Sequence, residues 1–122
     1  GFTKLGATVT LVGPPELLPD DLGCVVSSDF DAVLDEVSGV MMLRVQFERN
    51  AKVGGSYREQ FGLTKERARR YAGAIMHPGP MNRGLEIDDC VANIESSPHN
   101  LILSQVTNGV ATRMAILEHL IG

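Results

Sequence analysis

Two segments of this 122-residue chain bring together side chains able to do chemistry. The first is Leu43-Arg44-Val45-Gln46-Phe47-Glu48-Arg49, where an apolar run passes directly into charged and amide groups. Side chains alternate along an extended chain, so Arg44, Gln46 and Glu48 share one face. An arginine presents a planar fork that grips a carboxylate with two parallel hydrogen bonds. Gln46 adds a donor and an acceptor, and Glu48 can pair with the arginine and fix its rotamer. That is a carboxylate-binding constellation. The same spacing also describes a solvated strand end with a surface ion pair, and spacing does not separate the two.

The second segment is His77-Pro78-Gly79-Pro80-Met81-Asn82-Arg83-Gly84. Pro78 and Pro80 push His77 and Gly79 towards extended geometry and stiffen the turn. Pro80 has no N–H, so the carbonyls around Gly79 are available to a ligand and suit an amine or amide. The alternative is a plain tight turn, with a cis X-Pro bond as one form of it. His77 reads as structural rather than catalytic. Arg83 and Glu86 read as a local ion pair, which contributes little if exposed.

Both segments follow short apolar runs, and this defines the elements that position them. Val40-Met41-Met42-Leu43 and Ala74-Ile75-Met76 are apolar on both faces, as buried parallel strands are. Ala7 to Val12, closed by Gly13-Pro14-Pro15, is a third strand, and Cys24-Val25-Val26 a fourth. Between them, Asp29 caps a helix running to Glu36, with Phe30, Val33, Leu34 and Val37 at helical spacing. Ser56 is placed to cap a helix to Phe61, and Lys65 to Tyr71 reads as a basic helix. A short helix is expected over Ile87 to Ile94. Ser97-Pro98 looks like the N-cap and first residue of a long C-terminal helix. Asn108-Gly109 interrupts that helix on local propensity. Its aliphatic stripe (Val106, Val110, Met114, Leu117, Ile121) is a packing face, for its own sheet or for a neighbour. Strand–helix alternation places the chain in the α/β class, as a three-layer Rossmann-like parallel sheet with flanking helices. In such a sheet ligands bind beyond the C-terminal ends of the strands, where both segments lie.

Composition narrows the partners. A formal charge of −4 and only 5% aromatic residues argue against nucleic acid and anionic membranes. No apolar run is long enough to span a bilayer. Cys24 and Cys90 lie far apart and read as two reduced, buried thiols. His77, His99 and His119 are scattered, so no metal site is expected. Leu5-Gly6 reads as a helix C-terminus whose beginning lies upstream of residue 1, in keeping with a chain that opens Gly-Phe-Thr without Met.

The ordered set Val12-Gly13-Pro14-Pro15, Met41 to Arg49, His77 to Ile87 and Gln105 to Val110 resembles the catalytic chains of the aspartate/ornithine carbamoyltransferase family. The likeness runs over nearly the whole chain. Ornithine-specific members typically carry a Cys in the His-Pro-Gly-Pro segment, so the resemblance favours aspartate. It implies transfer of a carbamoyl group from carbamoyl phosphate to the amino group of L-aspartate, a step of pyrimidine biosynthesis, with no metal or other cofactor. The family enzyme is a cytoplasmic homotrimer of two-domain chains; a regulatory subunit is left open. Residues 1–122 correspond to part of the aspartate-binding domain, truncated at the N-terminus so that its central strand would lie upstream of Gly1, with the carbamoyl-phosphate domain absent.

By position, the resemblance gives Arg44 the aspartate side-chain carboxylate and Gln46 a contact to aspartate. Glu48 is matched to the acid that holds the arginine, and Arg49 to an interdomain contact. Gly79 and Pro80 are matched to a dipeptide joined by a cis bond, whose carbonyls accept from the amino and carbamoyl nitrogens. One long helix is implied through Asn108-Gly109, packed back towards the other domain. The Ser-Thr-Arg-Thr-Arg phosphate motif, the carbonyl-polarising histidine and the His-Ser-Arg segment are not in these residues. No catalytic residue is therefore assigned, and the 122 residues alone are expected not to turn over. The stretch from Asn50 to Met76, which includes the loop that closes over the substrates, is a few residues short for the family. A carbamoyltransferase for another amino acid, or a non-catalytic amino-acid-binding paralogue, are the competing readings.

Overall fold

A computed structural model of the chain describes residues 1–19, 23–46, 56–93 and 98–122. Four strands are parallel in two pairs among these residues. β1 (Thr10–Val12) pairs with β2 (Val25–Ser27), and β3 (Gly39–Met41) pairs with β4 (Ala74–Met76). The registers are Leu11 beside Val26, and Val40 beside Ile75. Residues 99–101 extend the second pair on the far side of β4. The Ile75 N–H donates to the His99 carbonyl at 2.7 Å, and the Leu101 N–H to the Ile75 carbonyl at 2.8 Å.

The helices form where local chemistry predicts. α1 (Phe30–Glu36) is capped by Asp29, whose Oδ1 accepts from the Ala32 N–H at 3.0 Å. α2 (Tyr57–Phe61) follows Ser56, but the Ser56 hydroxyl accepts from the Gln60 side chain instead of capping the backbone. α3 (Lys65–Arg70) begins at Thr64, whose hydroxyl accepts from the Arg67 N–H. A 3-10 turn over Phe2–Leu5 ends at Gly6 in the left-handed region, as Leu5-Gly6 suggests.

Two helix starts differ from expectation. The helix expected from Ile87 is α4, Asp89–Ala92. Ile87 is instead extended, because Leu63 hydrogen-bonds on both sides of it, to the Glu86 carbonyl and from the Asp88 N–H. The long helix α5 spans Ile102–Ile121, not from Ser97-Pro98; Ser97 lies outside the described residues. Pairing of 99–101 with β4 holds that stretch extended, and the Asn100 side chain accepts from the Ile102 N–H at 3.1 Å. α5 runs unbroken through Asn108-Gly109. A mid-helix glycine costs about 1 kcal/mol, which a 20-residue helix absorbs.

The core is built from α1, β3, β4, the 61–63 segment, Ile87, Val91 and Ile102, the first residue of α5. Past Gln105 the apolar stripe of α5 is exposed, from Val110 at 53% to Ile121 at 81%. It does not pack on its own sheet. The cysteines also depart from expectation. Neither is in a disulfide, but Cys90 is exposed and Cys24 half-buried. Cys90 stands on α4, a single short turn that buries only Val91.

Gly62 marks a close backbone crossing. A Cβ there would lie 2.6 Å from the carbonyl oxygens of both Arg58 and Leu85. Gly62→Ala is expected to destabilise the chain by about 2 kcal/mol through overpacking. The check is the urea midpoint, which an unobstructed site would leave unchanged.

Candidate functional site at the ends of β3 and β4

Because β3 and β4 are parallel neighbours, the chain leaves both at the same edge. From β3 it runs through Met42 into Leu43-Arg44-Val45-Gln46, and from β4 into His77-Pro78-Gly79-Pro80. The two segments flagged by residue type are thus brought together. The Met42 N–H donates to the Met76 carbonyl at 2.9 Å, carrying the ladder one residue beyond the strands.

Arg44 and Gln46 are exposed. Arg44 has no ion-pair partner among the described residues. Glu48 and Arg49 lie outside the described residues. Gly79 and Pro80 are exposed and joined by a cis peptide bond. Gly79 adopts φ 66°, a conformation that favours glycine, and among the described residues no atom beyond its own chain neighbours lies within 4 Å of where its Cβ would be. The turn therefore presents its backbone to open space.

Beneath this exposed rim is a buried polar cluster. His77 and Glu86 are both 0% exposed. The His77 Nδ1 accepts from the Gly79 N–H at 2.9 Å, so that nitrogen carries no proton. The ring proton is then on Nε2, which faces Glu86 Oε1 at 3.3 Å. The same carboxylate oxygen accepts from the Asn82 N–H. The Asn82 amide Nδ2 donates to the Val45 carbonyl at 2.9 Å, between Arg44 and Gln46. From the other side, Gln105 on α5 accepts from the His77 N–H at 2.9 Å. Burial, and secondly the negative charge of Glu86, push the Tyr57 phenol above its ordinary value.

The structural role read for His77 agrees with this geometry. The expected Arg83–Glu86 pair does not form. Arg83 is bound to Asn93 at 2.6 Å and to Asp89 at 3.3 Å, at the surface. A buried carboxylate takes the donors inside with it, and those are His77 and Asn82. Asn82 and Gln105 were not legible as site residues. The available signal was Gln105 itself, an amide at a helical position otherwise taken by apolar residues. A surface depression lined by Asp31, Arg58, Arg67 and Arg70 among others contains none of the strand-end residues. Among the described residues no cluster of His, Cys, Asp and Glu could hold a metal ion.

The chain is similar to known proteins along nearly its whole length. The family model described as "Aspartate/ornithine carbamoyltransferase, Asp/Orn binding domain" matches residues 1–120. The aspartate carbamoyltransferase catalytic subunit of Stenotrophomonas maltophilia is 48% identical over 93% of this chain and 38% of its own length. That of Salinispora arenicola is 50% identical over 99% of this chain and 42% of its own. The chain thus spans about two-fifths of the curated relatives it matches. Among solved structures, the catalytic subunit of M. jannaschii aspartate transcarbamoylase superposes with a TM-score of 0.71 at 28% identity, over 92% of this chain and 39% of that one. The ornithine carbamoyltransferase of Pyrococcus furiosus, at 17% identity and TM-score 0.59 over 77% of this chain and 31% of that one, shares the fold.

Proposed function

The chain belongs to the aspartate/ornithine carbamoyltransferase family, and from that membership we propose that it supplies the aspartate-binding half of an aspartate carbamoyltransferase site. In this reading residues 1–122 are part of the aspartate-binding domain, and a second domain outside them holds carbamoyl phosphate. The amino nitrogen of L-aspartate attacks the carbonyl carbon of carbamoyl phosphate. The C–O bond to phosphate then breaks and the nitrogen loses a proton, giving N-carbamoyl-L-aspartate and phosphate.

Arg44 grips the side-chain carboxylate of aspartate with its fork, and Gln46 adds a directional hydrogen bond. The carbonyls of Gly79 and Pro80 accept from the amino and carbamoyl nitrogens. Acceptors aimed at the nucleophile hold it in line with the carbonyl carbon, and positioning of this kind removes much of the entropic barrier. Glu48 supports Arg44, and Arg49 reaches the other domain. The observation that carries the reading is the latch between Asn82 and Val45, which sets the arginine segment beside the Gly79–Pro80 turn. A homotrimer in the cytoplasm, serving pyrimidine biosynthesis, belongs to the same proposal. No helix among the described residues is long and apolar enough to cross a membrane.

The test is a graft in which residues 1–122 replace the matching segment of the S. maltophilia catalytic subunit. The folded graft is expected to carbamoylate L-aspartate and not L-ornithine. Transfer to ornithine, or a correctly assembled graft without turnover, would overturn the reading.

A further inference from the structure

Resting on that reading, we propose that the buried carboxylate of Glu86 is the positioning group that holds both substrate-facing segments in one geometry. Its Oε1 carries two arms. One runs through the His77 ring to the Gly79 N–H; the other runs through the Asn82 backbone and side chain to the Val45 carbonyl. The first arm anchors the peptide N–H of Gly79, and so the start of the turn whose Gly79 and Pro80 carbonyls face the substrate nitrogens. The second fixes the backbone between Arg44 and Gln46, and so the direction in which both side chains leave the chain.

Three features set Glu86 apart from a carboxylate that merely fills space. Its Oε2 is buried with no hydrogen-bond partner among the described residues, a costly arrangement for an ionisable group. Its sequence neighbour Arg83, which could neutralise it, is engaged at the surface with Asn93 and Asp89. And His77, locked from behind by Gln105, is held as a rigid spacer rather than a free base, because its Nδ1 is occupied by the Gly79 N–H. One carboxylate oxygen therefore sets the relative placement of two segments that lie more than thirty residues apart, as Val45 and Asn82 do. Sites held by such supporting bonds lose rate when the support is loosened by a fraction of an ångström.

The experiment compares Glu86→Ala, Glu86→Gln and Asn82→Ala in the grafted catalytic subunit. Glu86→Ala is expected to raise the KM for aspartate and lower kcat, each about tenfold. Glu86→Gln keeps an oxygen that accepts both hydrogen bonds, and should restore kcat to within about threefold of the parent. Asn82→Ala cuts only the arm to Val45, and is expected to raise the aspartate KM about tenfold with a smaller change in kcat. A purely structural role predicts lower Tm and less folded enzyme with the aspartate KM unchanged in all three, and that result overturns the proposal. If Glu86→Ala does not fold, Asn82→Ala decides by the same KM criterion. A parent graft that carbamoylates a different amino acid counts against the aspartate reading alone, and the KM comparison is then made with that acceptor.

Discussion

Arg44→Ala in the grafted enzyme is expected to raise the KM for L-aspartate about 100-fold and to lower kcat as well, while the KM for carbamoyl phosphate stays within about twofold. A charge-assisted, two-pronged arginine–carboxylate contact contributes about 3 kcal/mol, and 1.4 kcal/mol is a factor of ten in affinity. The fall in kcat follows because the contact also aims the amino nitrogen; an aspartate held by fewer points spends less time in line. Arg44 is exposed and has no ion-pair partner among the described residues, so its removal should leave Tm unchanged. Arg44→Lys keeps the charge and loses the fork, and should recover only part of the loss. Initial rates across an aspartate series are the measurement. An aspartate dependence like that of the parent would remove Arg44 from the site.

The largest stability effect is expected at Arg67, on α3. Its side chain is only 11% exposed and is satisfied on every side. Nε and Nη2 donate to the two oxygens of Asp31 at 3.0 and 2.6 Å, and Nη1 donates to the Gly62 carbonyl at 2.7 Å. The guanidinium also lies 5.2 Å from the centre of the Phe30 ring. Arg67→Met keeps the apolar volume but strips the Gly62 carbonyl of its charged donor, leaving it the Thr64 N–H at 3.0 Å, and unties α3 from α1. It should destabilise the chain by about 3 kcal/mol, read as a lower urea midpoint at neutral pH. Asp31 is half exposed, so water replaces much of what it loses, and Asp31→Asn should cost only about 1 kcal/mol.

This pair also has a defined pH dependence. The hydrogen bond from Arg67, helped by the charges of Arg67 and Arg70 and opposed by burial, holds the Asp31 carboxyl below its ordinary 3.8. A carboxyl whose folded value is depressed adds stability that is complete above the unfolded value and is lost as pH falls through the folded one. The parent's advantage over Arg67→Met should therefore be full at pH 7 and shrink below about pH 4. An advantage independent of pH down to pH 2 would contradict the link.

The elements were largely legible in the sequence because their causes are local. Asp29 caps α1 through a bond three residues on, and Phe30 and Leu34 fall on the buried face that their spacing sets. The apolar runs at Val40 and Ile75 are strands in register, and the chemistry-bearing residues follow them directly. The family motifs, from Met41 to Arg49 and from His77 to Ile87, are contiguous strings and need no fold to be recognised.

Tertiary structure decided the partners. Sequence proximity offered Arg83 to Glu86, but burial excluded it: a carboxylate enclosed by Tyr57, His77 and the 82–86 turn takes the donors enclosed with it. The latch from Asn82 to Val45 and the bond from His77 to Gln105 join residues 37 and 28 positions apart, where no spacing rule operates. The start of α5 was settled the same way, since pairing of 99–101 with β4 outweighed the Ser97-Pro98 signal. The fate of its stripe was settled too. Periodicity marks Val110, Met114 and Leu117 as one apolar face, but only the packing shows that this chain's own sheet does not cover it. Local sequence encodes which residues can face a core or a ligand. Which groups then meet depends on what chain closure buries together, because a desolvated polar group accepts whatever donor is enclosed with it.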